Sequence, residues 1–335
     1  MSACGILIIY FSKGGIYMAT RKAASTKKAT AKKPAAAKAS KTTVRTVSAS
    51  APKKKAPAVN TEPVVTVAKR EKTTTLPKNI INVIFAELVG TFILTLVALT
   101  SFNDGSIGAI AIGFALSIIV MTVGAVSGAH VNPAVTLGLW SVRKLKPILL
   151  PFYWGSQFLG AMLAVILTNT IAHNSINFSF DNFTSMDWSI FGIELVGTAV
   201  FLFALTAAVT REQLSVGLRA LTIGLALTVG LLSSNYLLNK TKTQAVADYQ
   251  KASQSANSSK DVEIPHSAYV KSASLNPAIA LAMTDHTKAE LTNSSASAGE
   301  VSKSRFTLES LLGALIGAMV GSNLYLLIAN SKKND

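Results

Sequence analysis

The sequence predicts an all-α membrane protein with six transmembrane helices and two short half-helices, arranged as an inverted repeat. Six long apolar stretches, a low content of charged residues and a pattern that occurs twice along the chain support this prediction. Of the 335 residues, 50% are hydrophobic and 14% are charged, whereas soluble domains average about 25% charged residues. Contact with lipid explains the shortfall.

Residues 1–79 are predicted to form a disordered, basic cytoplasmic tail. They contain 17 Lys and Arg and 2 acidic residues, so most of the net charge of +16 lies there. The part 19–78 is rich in Ala, Lys, Thr, Ser and Pro and lacks an apolar period, so it cannot bury enough surface to offset the entropy cost of ordering. Anionic lipid is the partner that such a tail favours, and nucleic acid is the weaker alternative.

The first residues contain an apolar run at 4–11 that is too short to span a membrane, since a spanning helix needs about 20 residues. Because Met18 follows closely and opens the basic segment, Met18 is an alternative start of the protein. The single cysteine, Cys4, excludes an intrachain disulfide and matches no metal or redox motif.

The region 80–330 is predicted to be the membrane domain. Each of its six apolar stretches is nearly free of Lys and Arg and is long enough to cross the hydrocarbon core as a helix. These stretches lie at about 80–100, 107–126, 150–172, 189–209, 216–235 and 308–329. Two shorter apolar patches, at about 131–140 and 275–283, cannot span, and each contains the triplet Asn-Pro-Ala at its start.

Two polar pieces interrupt the second part of this domain. Segment 236–272 is predicted to be an extracytoplasmic insertion that is disordered or loosely helical, with a cap over an external vestibule as the alternative. Segment 284–305 shows no clear period, and 331–335 forms a short cytoplasmic C-terminus. Lys and Arg concentrate in alternate short links, which places both termini in the cytoplasm. The prediction is therefore a multi-pass protein of the plasma or inner membrane.

The two halves of the membrane domain repeat each other. The pentapeptide Glu-Leu-Val-Gly-Thr begins at Glu87 in the first apolar stretch and again at Glu194 in the fourth. In each half an Asn-Pro-Ala triplet follows the second stretch. Because each half has three spans, the second half is inverted relative to the first. Inverted repeats place a binding or conduction site near the bilayer midplane, and short interrupted segments in matching positions mark that site.

The triplets themselves predict two helix starts that face each other. Asn is a favoured N-cap and Pro is favoured at the first helical position. Each helix N-terminus carries about half a positive charge, so two opposed N-termini disfavour cations and protons between them. Each Asn amide can also donate a hydrogen bond to a passing solute. The residues concerned are Asn132, Pro133, Ala134, Asn276, Pro277 and Ala278.

These motifs resemble those of the aquaporin, or major intrinsic protein, family. The stretch 127–138 is similar to the first pore loop of that family, 274–278 to its second loop, and 86–92 to its first-helix signature. The resemblance implies a right-handed six-helix bundle with two half-helices. It also implies a homotetramer with one pore per subunit.

The resemblance also implies roles for three polar residues. The matching glutamates of the family, Glu87 and Glu194 here, brace the backbone of the pore loops. The alternative is that both lie near an interface and snorkel to water. His130 is similar to the loop histidine of the family, and a packing role is favoured over gating.

The resemblance further implies a selectivity constriction at Ile112, Leu231, Ala273 and Ile279. Other members of the family have an Arg where this chain has Ile279. An Arg donates fixed hydrogen bonds and repels cations, and an isoleucine does neither. We expect an apolar constriction that is wider, less selective or gated by dewetting. Proton exclusion is then expected to be weaker than in relatives that have the Arg.

The predicted function is a passive channel for water, small neutral solutes of the glycerol type, or both. No nucleophile, metal cluster or phosphate loop stands out in the sequence, so neither an enzyme activity nor a cofactor is predicted. Two alternatives stay open. The first alternative is a non-conducting or gated membrane anchor that presents the basic tail. The second is a secondary transporter, which would also have inverted repeats.

Overall fold

The computed structural model describes residues 7–12, 15–20, 76–173, 186–255, 263–292 and 302–331. The chain divides into two units, Met1–Lys69 and Arg70–Asp335. Most of the segment predicted to be disordered, residues 21–75, lies outside the described residues.

The described part of the first unit is a β-hairpin that the sequence analysis did not predict. Strand β1 (Leu7–Ser12) pairs antiparallel with β2 (Gly15–Thr20), with Leu7 opposite Thr20 and Ser12 opposite Gly15. The run 4–11 is too short to span a membrane, but its Ile and Tyr residues favour strands. Both strands lie in the tail 1–79, which the sequence predicts to be disordered.

The second unit contains six helices that are long and apolar enough to cross a membrane, which confirms the predicted all-α class for this unit. Their spans follow the six predicted stretches closely at every start, and only the fifth differs strongly at its end. The spans are Ile80–Asp104, Ser106–Ser127, Pro147–Ile171, Trp188–Thr210, Val216–Ala252 and Leu308–Ala329.

The described helices of this unit follow one another in the order that the repeat requires. In each half, two long helices come first, the half-helix that follows Asn-Pro comes next, and a third long helix comes last. They are α1 (Ile80–Ser101), α2 (Ser106–Ser127), α3 (Pro133–Ser141), α4 (Leu150–Ile171), α5 (Trp188–Thr210), α6 (Val216–Ser255), α7 (His266–Tyr269), α8 (Pro277–Ala282), α9 (Lys288–Thr292) and α10 (Leu308–Ser331). The short helices α3 and α8 are the two predicted half-helices.

Glycines let the equivalent helix pairs α1/α4 and α5/α10 pack backbone to backbone. A Cβ added at Gly160 of α4 would lie 2.4 Å from the carbonyl oxygen of Leu88 in α1. In the second half, a Cβ at Gly317 of α10 would lie 2.3 Å from the carbonyl oxygen of Leu195 in α5. Small residues at helix interfaces in membranes permit this close approach.

The fifth long helix, α6, continues well beyond the predicted end at residue 235. Its 40 residues correspond to about 60 Å at 1.5 Å per residue, about twice the hydrocarbon thickness. Residues 236–255 contain neither Pro nor Gly, so nothing stops the helix. Leu238 and Ala245 are buried one heptad apart, and Ala245 packs in a small cluster with Ile264 and Ala268. The first part of the predicted insertion is therefore an ordered helix.

Candidate pore

Both half-helices begin with the same cap. The side-chain oxygen of Asn132 accepts a hydrogen bond from the backbone N–H of Ala134 at 2.8 Å, and that of Asn276 accepts one from Ala278 at 3.0 Å. Pro133 and Pro277 occupy the first helical positions, where a missing N–H costs nothing.

The two Asn side chains also bind the opposite loop. The amide nitrogen of Asn132 donates to the carbonyl oxygen of Leu275 at 2.9 Å, and that of Asn276 donates to the carbonyl oxygen of Val131 at 3.0 Å. The two triplets, which are far apart in the sequence, therefore meet. An amide nitrogen has two N–H groups, so one N–H of each Asn stays available for a solute.

Glu87 is buried and accepts four hydrogen bonds from neutral donors in the first half. Its Oε1 accepts from the Ser127 hydroxyl at 2.6 Å and the His130 backbone N–H at 2.9 Å. Its Oε2 accepts from the Val131 backbone N–H at 2.7 Å and the Gln157 amide at 2.8 Å. The carboxylate thus ties two helices to the loop that precedes α3.

Glu194, also fully buried, occupies the matching place in the second half. Its Oε1 accepts from the backbone N–H of Ser274 at 2.9 Å and from the Ser274 hydroxyl at 3.1 Å, and its Oε2 accepts from the backbone N–H of Leu275 at 2.8 Å. The fourth donor is the charged guanidinium of Arg305, whose Nη2 donates to Oε1 at 3.2 Å. Neither glutamate snorkels to an interface in this structure.

The loops that these glutamates hold contain unusual backbone conformations. Val131 has a φ of 43° and Leu275 a φ of 50°, in the left-handed region that residues with a side chain, above all β-branched ones, rarely adopt. Each lies directly before its triplet, and each donates its N–H to a glutamate. The hydrogen bonds offset the strain, so the carboxylates and the loop conformations depend on each other.

His130 contributes two separate contacts. Its backbone N–H, not its ring, donates to Glu87. The ring packs on Tyr153 with 4.6 Å between centroids, and its Nδ1 lies 3.2 Å from the Thr136 hydroxyl. The structure thus places His130 in a packed position and also at the cavity wall described next.

A narrow cavity lies at the point where the two loops meet. Three of the four predicted constriction residues line it, namely Ile112, Leu231 and Ile279. Ala273 is buried but is not among the described lining residues, and its neighbour Ser274 is. The lining that the sequence analysis missed consists of Leu94, Phe102, Leu116, Val131, Phe201, Leu227 and Ser274.

The cavity wall is apolar apart from a few neutral groups. The polar lining side chains are those of His130, Asn132, Ser274 and Asn276. A charged filter needs a carboxylate or a guanidinium group, and none of the described lining residues has one. The opposed N-termini of α3 and α8 add positive potential at the Asn pair. Among the described residues, no group of three or more His, Cys, Asp or Glu could hold a metal ion.

Twin capped half-helices that meet between six spanning helices define a class of polytopic membrane channels. The family model for the major intrinsic proteins matches residues 75–243, which is more than half of the chain. The chain belongs to the major intrinsic protein family. Members of this family are channels and not enzymes, and this chain is a passive membrane channel.

Comparisons with individual proteins give the same family. The chain is 32% identical over 192 residues to Aquaporin Z of Photorhabdus laumondii, covering 49% of this chain and 83% of that protein. It is 31% identical to Aquaporin NIP2-2 of Zea mays over 46% of this chain, and it spans about half (55%) of that protein. The aquaglyceroporin of Plasmodium falciparum is similar in structure at 18% identity and a TM-score of 0.45, over 75% of this chain and 96% of that one. At that TM-score the likeness adds no weight.

Proposed function

We propose that the pore conducts water and small neutral solutes of the glycerol type, and that the Asn132/Asn276 pair is its central cation barrier. The reciprocal hydrogen bonds between these two residues and the opposite loops are the observation that carries the proposal. They hold two helix N-termini and two free amide N–H groups around one point of the path. A water molecule at that point accepts hydrogen bonds from both Asn side chains. This orientation interrupts the chain of hydrogen-bonded waters along which a proton would otherwise move.

The apolar constriction favours solutes that need few hydrogen bonds while they pass. Ile112, Leu231 and Ile279 present only hydrocarbon to the cavity, so a solute loses hydration without a fixed replacement donor. Without an Arg at position 279, the exclusion of protons depends on the dipoles at the Asn pair. We therefore expect a higher proton leak than in relatives with an Arg. A proton flux at the lipid background in proteoliposomes, also with Ile279 substituted, would refute this part.

The surroundings of the pore follow from the family assignment and the charge pattern. We propose a homotetramer with one pore per subunit, in the plasma or inner membrane and with both termini in the cytoplasm. The 17 Lys and Arg of residues 1–79 would then face anionic lipid headgroups, which attract each such charge by about 1 kcal/mol. Binding of the tail to nucleic acid is less favoured.

Stopped-flow swelling of proteoliposomes, first with water and then with glycerol, tests the proposal. The wild type should exceed the lipid background for both, and Asn276→Leu should lose most of this excess. Asn323→Leu, at an exposed Asn of α10 that bonds Ser141, is the matched control and should keep it. Background permeability of the wild type would favour a membrane anchor, and saturable flux that depends on an ion gradient would favour a transporter.

A further inference from the structure

A buried cluster of charged groups lies behind the second pore loop. Nη2 of Arg305 is 3.2 Å from Glu194, and Nε of Arg305 is 3.9 Å from Asp285. His266 connects this pair to α10, since it lies 3.7 Å from Asp285 and 3.1 Å from Glu309. We call these five residues the second-loop charge cluster.

The cluster is built into the interior. The side chain of Arg305 is 1% exposed, and those of Glu194, Asp285 and Glu309 are 0–2% exposed. Burial of an unpaired charge is very costly, so such groups are kept only with partners. The three carboxylates of the cluster face the cations of Arg305 and His266. Each buried charge of the cluster therefore has an opposite charge as its neighbour.

The backbone places Arg305 beside the end of α8. Its N–H donates to the carbonyl oxygen of Met283 at 2.9 Å, and the N–H of Asp285 donates to Lys303 at 2.9 Å. Met283 directly follows α8, and its own N–H donates to the carbonyl oxygen of Ile279 at 3.0 Å. One short antiparallel pairing thus links Arg305 to the half-helix whose Ile279 lines the cavity.

Arg305 replaces the neutral donor that the repeat would supply. Gly160 of α4 and Gly317 of α10 occupy equivalent places, since they lie against the carbonyl oxygens of Leu88 and Leu195, and in that register Ala314 is the counterpart of Gln157. Ala314 is buried and has no side-chain donor for Glu194. The hydroxyl of Ser310, one turn earlier in α10, donates to the carbonyl oxygen of Arg305 at 2.8 Å, and so it positions the residue that does reach Glu194.

We propose that Arg305 is a positioning residue for the pore, which holds Glu194 and the end of α8 in place and thereby sets the largest solute that passes. The proposal rests on the proposed function. Glu194 Oε1 is shared by Arg305 and Ser274, and both Ser274 and Ile279 line the cavity. The constriction residues Ile112, Leu231 and Ile279 present only hydrocarbon to the cavity. Their spacing therefore depends on the groups that hold their backbone from outside the cavity.

The test is the ratio of xylitol to water permeability in proteoliposomes, normalised to the amount of folded protein. Arg305→Gln should raise the ratio about tenfold, since misplacements of about 1 Å strongly change rates that depend on geometry. Arg305→Lys, which keeps the charge, should stay closer to the wild type than Arg305→Gln. Lys240→Gln removes one exposed cation that lies over Tyr236 and should leave the ratio unchanged.

The outcomes separate selectivity from stability. A ratio in folded Arg305→Gln equal to that of the wild type overturns the inference and leaves the proposed function intact. If Arg305→Gln does not fold, the double variant Glu194→Gln/Arg305→Gln, which leaves this pair without a charge, should fold and show the raised ratio. Failure of both variants to fold would make Arg305 a stability residue only. A wild type at lipid background overturns the proposed function and this inference together.

Discussion

The two halves of the repeat hold their pore loops with the same geometry but with different chemistry. In each half a buried glutamate accepts two backbone N–H groups of the loop, one serine hydroxyl and one donor from farther along the chain. In the first half that last donor is the neutral amide of Gln157, and in the second half it is the guanidinium of Arg305.

Both glutamates accept four hydrogen bonds, but the charge of the last donor differs between the halves. Glu87 is stabilised by hydrogen bonds from neutral donors. The strength of these bonds depends on their distance and direction and not on the protonation of the donor. Glu194 belongs to a group of charges that includes His266 and Asp285. The second loop should therefore be more sensitive to pH and to loss of a single partner than the first.

The largest expected effect comes from removal of the two matching donors. Arg305→Ala leaves Glu194 without its cation and should lower the free energy of unfolding by about 3–5 kcal/mol. Gln157→Ala removes a neutral donor to Glu87, and its cost should stay within about 1–3 kcal/mol. Thermal and denaturant unfolding in detergent, followed by circular dichroism, would measure both. Equal losses would break the contrast between the halves.

A second prediction tests the part of the structure in which the halves should agree. A Cβ at Gly160 would meet the Leu88 carbonyl oxygen at 2.4 Å, and a Cβ at Gly317 would meet the Leu195 carbonyl oxygen at 2.3 Å. Each Gly→Ala substitution should cost about 1–3 kcal/mol by overpacking. Gly155→Ala, where nothing lies within 4 Å, is the control and should be neutral or slightly stabilising. A tolerated Gly317→Ala would contradict the tight α5/α10 contact.

The third prediction is a pH dependence of stability that is confined to the second half. Burial alone would lower the pKa of His266, but its pairing with Asp285 and Glu309 outweighs burial and raises the pKa to about 9. Because the folded pKa exceeds the ordinary value of 6.5, the stabilisation is complete below pH 6.5 and is lost as pH rises through about 9.

This dependence can be measured as the unfolding temperature in detergent between pH 6 and 9.5. The wild type should lose stability over that window, and His266→Gln should start lower and lose less. The matched comparison is Gln157→Ala, which lies in the first half and should keep the pH dependence of the wild type. Parallel curves for the wild type and His266→Gln would refute the role of the cluster.

Much of the fold could be predicted because its signals are local. Spans need about 20 apolar residues, and an Asn-Pro pair marks a helix start, so the sequence predicts both half-helices, the starts of all six spans and five of their ends within a few residues. The end of α6 was missed because hydropathy falls at residue 235 while helix formation continues. Only the buried spacing of Leu238 and Ala245 indicates that continuation.

The candidate site was less predictable because its partners are distant in sequence. Arg305 lies 111 residues from Glu194, in a polar segment without a period, and no motif singles it out. Gly-Ala occurs twice in α10, at Gly313 and at Gly317, and only the contacts of Gly317 show that Ala314, which has no donor, occupies the place of Gln157. At Ala273 the role in the constriction stays a prediction, since the described wall contains its neighbour Ser274, and loop register does not follow from helix periodicity.

The central claim is that solutes pass through the cavity beside the two Asn residues, and cysteine labelling at its wall tests this most directly. In a Cys4→Ser background, Ile279→Cys should conduct water and should fall to the lipid background after a small methanethiosulfonate reagent is added, with recovery on reduction. Ile107→Cys, at an exposed site in α2, should react without loss of flux. Complete labelling of Ile279→Cys, shown by mass spectrometry, with unchanged water permeability would contradict the claim.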